Sequence, residues 1–219
     1  MLRYALISAV LAAGAAGPAL AGVDWTAAPT VADMVALYPE KAKAEGIGGG
    51  VELACTVASG GALRQCDVLA ETPRGYGFGA AARKLTHQMR AEPVLKGSEV
   101  RVPVTFPAEL AKGEPLTAKT PMWTALPTAA ELQAVVPKTP GGPNDIRVTL
   151  LCDVEDGGAL TGCGVDREEP GGHGFGAAVL GLASKFRVEL MSAEGMPTVG
   201  AKVRVPVRFD LKPVDQAAK

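Results

Sequence analysis

An α+β fold written twice in tandem is what the sequence predicts, on three observations. Landmarks recur at a near-constant offset, helix-like and strand-like segments alternate in the same order in both halves, and each half carries two cysteines around a Gly-Gly. Cys55 and Cys152, Cys66 and Cys163, and Phe78 and Phe175 each lie 97 residues apart (152−55, 163−66, 175−78). "WTAAPT" from Trp25 matches "WTALPT" from Trp123 at an offset of 98, and "RVPVTF" from Arg101 matches "RVPVRF" from Arg204 at 103. One residue is lost before Cys152, and six are gained before the last strand. A period of this size suits a small complete domain rather than a solenoid repeat. The expected boundaries are a first module over 22–110, a polar linker over 111–121, and a more diverged second module over 122–213.

Ahead of the copies, residues 1–21 read as a signal peptide. Arg3 supplies the positive start, an apolar stretch follows, and Ala19-Leu20-Ala21 gives the small-x-small cleavage pattern. Glycines and Pro18 interrupt that stretch, which argues against a retained membrane anchor. No later segment approaches spanning length, so the mature chain is expected without a membrane span, in an oxidising compartment. The formal net charge of −1 removes the basic surplus of a nucleic-acid binder.

Within each copy the expected order is helix, strand, strand, helix, strand. Thr30 with Asp33, and Thr128 with Glu131, have the spacing of a capping box, Glu131 fitting it better. Tyr38-Pro39 and Val136-Pro137 end these helices, because a residue before proline avoids the α region. "VELACTV" alternates with strand periodicity, and "IRVTLLCDV" keeps a weaker version. "GFGAAARKLTHQMR" and "GFGAAVLGLASKFR" are the longer helices, with Ala81, Leu85 and Met89 at i, i+4 and i+8.

Gly60-Gly61 suits a two-residue hairpin turn. Facing residues then have numbers summing to 121: Val57 with Arg64, Cys55 with Cys66, Leu53 with Val68. The same arithmetic around Gly157-Gly158 opposes Cys152 and Cys163. Directly opposed residues are close enough for a disulfide, so one bridge per copy is expected. Each closes a short loop and contributes somewhat under ~3 kcal/mol. A four-cysteine metal site is disfavoured, because zinc ligands come in much tighter pairs.

Three further signals weigh little. "GYGFGA" from Gly75 fits a dinucleotide fingerprint, but the preceding strand belongs to a hairpin and not to a buried parallel sheet. Gly75 and Gly77 are instead expected to bend the loop while Phe78 plugs the core. His87 and His173 fall at non-equivalent positions, and no catalytic constellation repeats, so neither cofactor nor enzymatic activity is expected. Glu168-Glu169 reads as solvated surface.

These elements together resemble the C-terminal domain of the TonB family. The resemblance rests on Tyr38, Pro39, Ala42, Gly46, Gly48, the hairpin, Phe78, Val100, Val102, Pro103 and Phe106, over roughly residues 30–107. The second copy keeps the hairpin, Phe175 and "VRVPVRF" but lacks the tyrosine. The resemblance implies, for each copy, a three-stranded antiparallel sheet with two helices on one face, an αββαβ unit. It also implies a periplasmic role in transmembrane transport, binding a short box peptide of outer-membrane receptors as a strand beside the last strand.

Two departures separate this chain from energy-transducing members: no retained anchor, and no long proline-rich spacer. Pro103 lacks an N–H and so belongs on a sheet edge with the gap facing out. Arg101, Val102, Val104 and Thr105 are therefore the expected partner-binding residues, with Tyr38 and Pro39, and the second strand at 204–209 is the lesser site. The alternative is a structural or assembly protein whose modules pair only with each other.

Overall fold

The computed structural model describes residues 23–137 and 143–211. The expected signal peptide and residues 212 and 213 of the second module lie outside them. The first half runs β1 (Trp25–Ala27), α1 (Val31–Ala36), α2 (Glu40–Glu45), β2 (Gly49–Val57), β3 (Leu63–Thr72), α3 (Phe78–Thr86), β4 (Arg90–Ala91), β5 (Glu99–Phe106) and α4 (Ala108–Ala111). A short strand, β6 (Thr117–Ala118), follows. The second half runs β7 (Trp123–Ala125), α5 (Ala129–Ala134), β8 (Asp145–Val154), β9 (Leu160–Glu169), α6 (Phe175–Leu180), β10 (Arg187–Val188) and β11 (Lys202–Asp210). The result is a mixed α+β protein with its main strands in two antiparallel sheets, β3-β2-β5 and β11-β8-β9, the second extended by β6.

Local rules account for most elements. Both capping boxes close: the Thr30 hydroxyl accepts from the Asp33 N–H at 3.1 Å, and the Thr128 hydroxyl from the Glu131 N–H at 3.2 Å. The Asp33 and Glu131 carboxylates accept in return from the threonine N–H groups, each at 2.8 Å. Asp33 thus caps as completely as Glu131. Pro39 ends α1 as expected, but α2 starts directly after it, with Pro39 in an extended conformation as its N-cap. Gly46, in the left-handed region at φ 64°, stops it.

The hairpins hold a correction. The first turn occupies Ser59–Gly61, closed by the Ala58 N–H donating to the Ala62 carbonyl at 2.8 Å, so pairing starts one step off. Val57 faces Leu63, not Arg64. An extra residue, Gln65 at φ 48°, then shifts the register, and Leu53 meets Val68 as expected. Turn error and bulge cancel at the cysteines: Cys55 and Cys66 are bridged with Cα atoms 4.1 Å apart. The second hairpin repeats the register shifts and bridges Cys152 to Cys163 with Cα atoms 4.0 Å apart.

The second glycine of each turn has a further reason. A Cβ on Gly61 would lie 1.9 Å from the Ala91 carbonyl oxygen, and one on Gly158 1.9 Å from that of Val188. The chain crossing beneath is β4 in one half and β10 in the other. These two-residue strands pair with the tryptophan strands β1 and β7, which periodicity over so few residues does not reveal.

Each sheet buries one face. Val51, Leu53, Cys55 and Val57 alternate inward along β2, and Phe78, Leu85 and Met89 meet them from α3 and its end. Ile146, Val148, Leu150, Phe175 and Val179 do the same in the second half. The cores are not wholly separate, however. Met191, Met196 and Ala201 belong by sequence to the second half, yet they pack into the first core. They lie in the segment made longer by the six-residue gain.

Candidate functional site

The outer edges of β5 and β11 are where a further strand could add, and the structure treats them differently. Along β5, Val100, Val102, Val104 and Phe106 point into the core, while Arg101 and Pro103 are exposed. The Thr105 N–H donates outward to the Gly195 carbonyl at 3.0 Å. Strand alternation then turns the main chain of Pro103 and Arg101 outward too, and the N–H groups of Val102 and Val104 inward to β2. Val102 and Val104, expected to offer side chains to a partner, therefore spend them on the core.

The cover over Thr105 is a tight loop, residues 191–199, here called the strap. Ser192 donates its N–H to the Met196 carbonyl at 2.8 Å, and Gly195 to that of Ser192 at 2.9 Å. The Thr105 hydroxyl donates to the Glu194 carbonyl at 2.6 Å, and the Val31 N–H to the Val199 carbonyl at 2.9 Å. Gly195 sits at φ 78°, and a Cβ there would fall 2.0 Å from the Pro103 carbonyl oxygen. Only glycine permits this approach. The Thr120 hydroxyl bonds the Glu194 carboxylate and, opposed by partial burial, holds it below the usual carboxylate range.

β11 is covered at its other end. The Lys202 N–H donates outward to the Leu116 carbonyl at 2.8 Å, and β6 pairs in parallel only with Lys202 and Val203. Residues 111–121, expected only to link the modules, thus add a strand to the second sheet. Pro206 shares the outward parity of Lys202, so its missing donor also faces out. Beyond Val203, no strand among the described residues pairs with this edge. On the solvent face beside it, Arg208 makes a two-point contact with Asp145 at 2.9 and 3.0 Å, and Arg204 meets Asp166 at 3.1 Å.

The other expected residues fall in two groups. Tyr38 is 4% exposed, packed edge-on against Phe106 and Phe78. Its hydroxyl lies 2.9 Å from the Ile47 carbonyl and 3.1 Å from that of Pro107. Burial, with Glu109 nearby, pushes its pKa up to about 12. Tyr38 therefore closes the core and presents nothing to a partner; Pro39 beside it is half-buried. Arg101 is exposed and pairs with Glu52 at 3.2 Å across the sheet, a contact of small energetic worth.

Two readings of the loops are settled differently. The "GYGFGA" turn does place Phe78 fully in the core, while the Tyr76 hydroxyl donates to Glu45 at 2.7 Å. Glu168 is not idle surface. Its carboxylate accepts from the N–H groups of His173, Phe175 and Gly176 at 3.1, 3.2 and 3.1 Å, capping the start of α6. Among the described residues no His, Cys, Asp and Glu group is placed to hold a metal, and no helix is long and apolar enough to cross a membrane.

Residues 35–109 match the family model of the Gram-negative bacterial TonB protein C-terminal. An uncharacterised protein of Caulobacter vibrioides is 32% identical over 83 residues, covering 38% of this chain and 83% of the relative.

Proposed function

Because the chain belongs, through residues 35–109, to the family of the Gram-negative bacterial TonB protein C-terminal, we propose that it is a periplasmic, two-module protein that binds a protein partner by strand addition. The two disulfides support an extracytoplasmic site of action. The matched hairpin bulges, bridges and tryptophan strands support reading residues 122–213 as a diverged second copy. A box-like extended segment of an outer-membrane receptor is the partner class we propose. No catalytic step is part of this reading.

One observation carries the choice of edge: among the described residues the outer edge of β11 has no partner strand beyond Val203, whereas that of β5 is covered at Thr105. We accordingly propose residues 204–209 as the binding stretch, in preference to 101–106. Arg208 has outward parity, so Arg208→Pro removes a donor from the open edge and leaves the main-chain ladder to β8 intact, while Arg208→Ala controls for the lost contact with Asp145. Binding of extended receptor peptides, followed by fluorescence anisotropy, should weaken about tenfold. Unchanged affinity in a folded Arg208→Pro variant would rule out this edge.

A second reading has its own support. The Gly195–Thr105 bond joins the halves at a sheet edge and the Lys202–Leu116 bond ties the second sheet to the linker, as suits a self-paired assembly protein. Under that reading no extended peptide binds at either edge, whether the strap is closed or displaced.

A further inference from the structure

On the far side of the first sheet from β5, a cavity of 430 Å³ lies between the hairpin and the end of α3. Arg64, Gln65 and Cys66 line it from β3, with Arg83 from α3, His87 just after that helix and Arg90 from β4. We propose that this cavity is a binding site for a ligand carrying an oxyanion group, phosphate or carboxylate.

Charge carries the first part of the case. Three arginines line one cavity, with no carboxylate among the lining residues. None of the three forms an ion pair among the described residues. Like charges gathered this way repel unless an anion joins them. The chain as a whole is formally −1, so the cluster is not the by-product of a basic surface.

Geometry carries the second part. Arg83 is pinned by its Nε donating to the Cys66 carbonyl at 3.1 Å. Arg90 is pinned by one nitrogen donating to the carbonyls of His87 and Met89, at 2.9 and 2.8 Å. Two guanidiniums are therefore held in place by main chain with further N–H groups to offer, the fork arrangement that oxyanions match. Among the described residues Arg64 makes no side-chain hydrogen bond or ion pair, and it is the third cationic arm.

The third part is a comparison internal to the molecule. Gln65 lines the cavity at φ 48°, a conformation costly for a side-chain-bearing residue, while the matching bulge in the second half uses Gly162 at φ 55°. Strain kept where glycine would relieve it points to a use for the side chain, here an amide donor at the rim. The remaining positions at the offset of 97 are Thr161, Leu180, Ser184 and Arg187. Only one guanidinium survives there, and it donates to the Gly157 carbonyl at 3.2 Å. The site belongs to the first half alone.

The test is titration of the full chain, at low ionic strength, with inorganic pyrophosphate and separately with tricarballylate, followed by the arginine Nε–H NMR signals. Saturable shifts with at least one ligand are expected, and the tighter of the two identifies the oxyanion source. Arg64→Ala should raise Kd about tenfold without loss of fold, since its side chain makes no hydrogen bond or ion pair among the described residues. Arg187→Ala should leave Kd unchanged. No saturable shift with either ligand through the millimolar range would overturn the proposal. So would shifts equally sensitive to Arg187→Ala, which would show diffuse attraction to cations.

Discussion

β5 and β11 carry the same Arg-Val-Pro-Val motif, bury alternate residues in the same way, and turn the same proline outward. They differ in what covers them. The strap closes β5 at its downstream end, over Pro103 and Thr105, and β6 closes β11 at its upstream end, over Lys202 and Val203. Among the described residues neither cover has a counterpart on the other strand. The repeated part of the sequence thus makes two similar edges, and the unrepeated parts, linker and insertion, decide which stretch stays open. The strand motif alone carries no information about availability.

The largest expected effect separates inward from outward donors. Val104→Pro removes an N–H that bonds inward to β2 and should destabilise the first sheet by ~3 kcal/mol or more. Chemical denaturation with a tryptophan signal would read this; a loss below about 1 kcal/mol would mean the parity assigned to β5 is wrong. Next comes the strap. Gly195→Val places side-chain atoms against the Pro103 carbonyl at a positive φ and should cost about 2–3 kcal/mol of local stability. Hydrogen exchange at the Thr105 amide should quicken accordingly, while amides of β8 and β11 keep their protection. Equal quickening in both sheets would show one cooperative unit.

The smallest effect depends on pH. Glu194 is held below the usual carboxylate range, chiefly by the Thr120 hydroxyl. Its bond therefore stabilises the strap fully above that range and is lost as pH falls through the lowered value. Glu189, near the strap's base, runs the other way: burial, then Asp24, raises its pKa, so acid relieves it. Because Glu194 is largely exposed, the gain lost in acid should be a few tenths of a kcal/mol. Thr120→Val should abolish this acid dependence of Thr105 exchange; an unaltered profile would assign it elsewhere.

What the sequence made legible was local. Capping threonines, the alternation of β2, proline at a sheet edge and the opposed cysteines all follow from rules spanning a few residues. The bulge at Gln65 escaped because a two-residue Gly-Gly turn is the default, and the cysteines satisfied either register. β1 and β4 escaped because two or three residues show no period. Glu168 escaped because its three backbone donors, in the turn before α6 and at the first residues of that helix, are brought to it only by the fold. Tyr38 was legible as important but not as buried: its hydroxyl partners, Ile47 and Pro107, lie in distant parts of the chain. The covers over the two edges were the least legible, since one pairs residues from opposite halves and the other pairs a strand with the linker, with no shared pattern.

The strap also sets the terms of competition at β5. It is tethered to the edge it occupies, so it acts as a rival ligand at a fixed local concentration, of the order of millimolar for a short tether. An outside strand must outbid that rival before it occupies the downstream end of β5. Its apparent affinity there is lowered by the fraction of molecules with the strap open, whatever the quality of its own contacts. At β11 a strand docking beyond Val203 meets no such rival among the described residues. Two nearly identical edges in one polypeptide can therefore respond to the same partner at widely different concentrations.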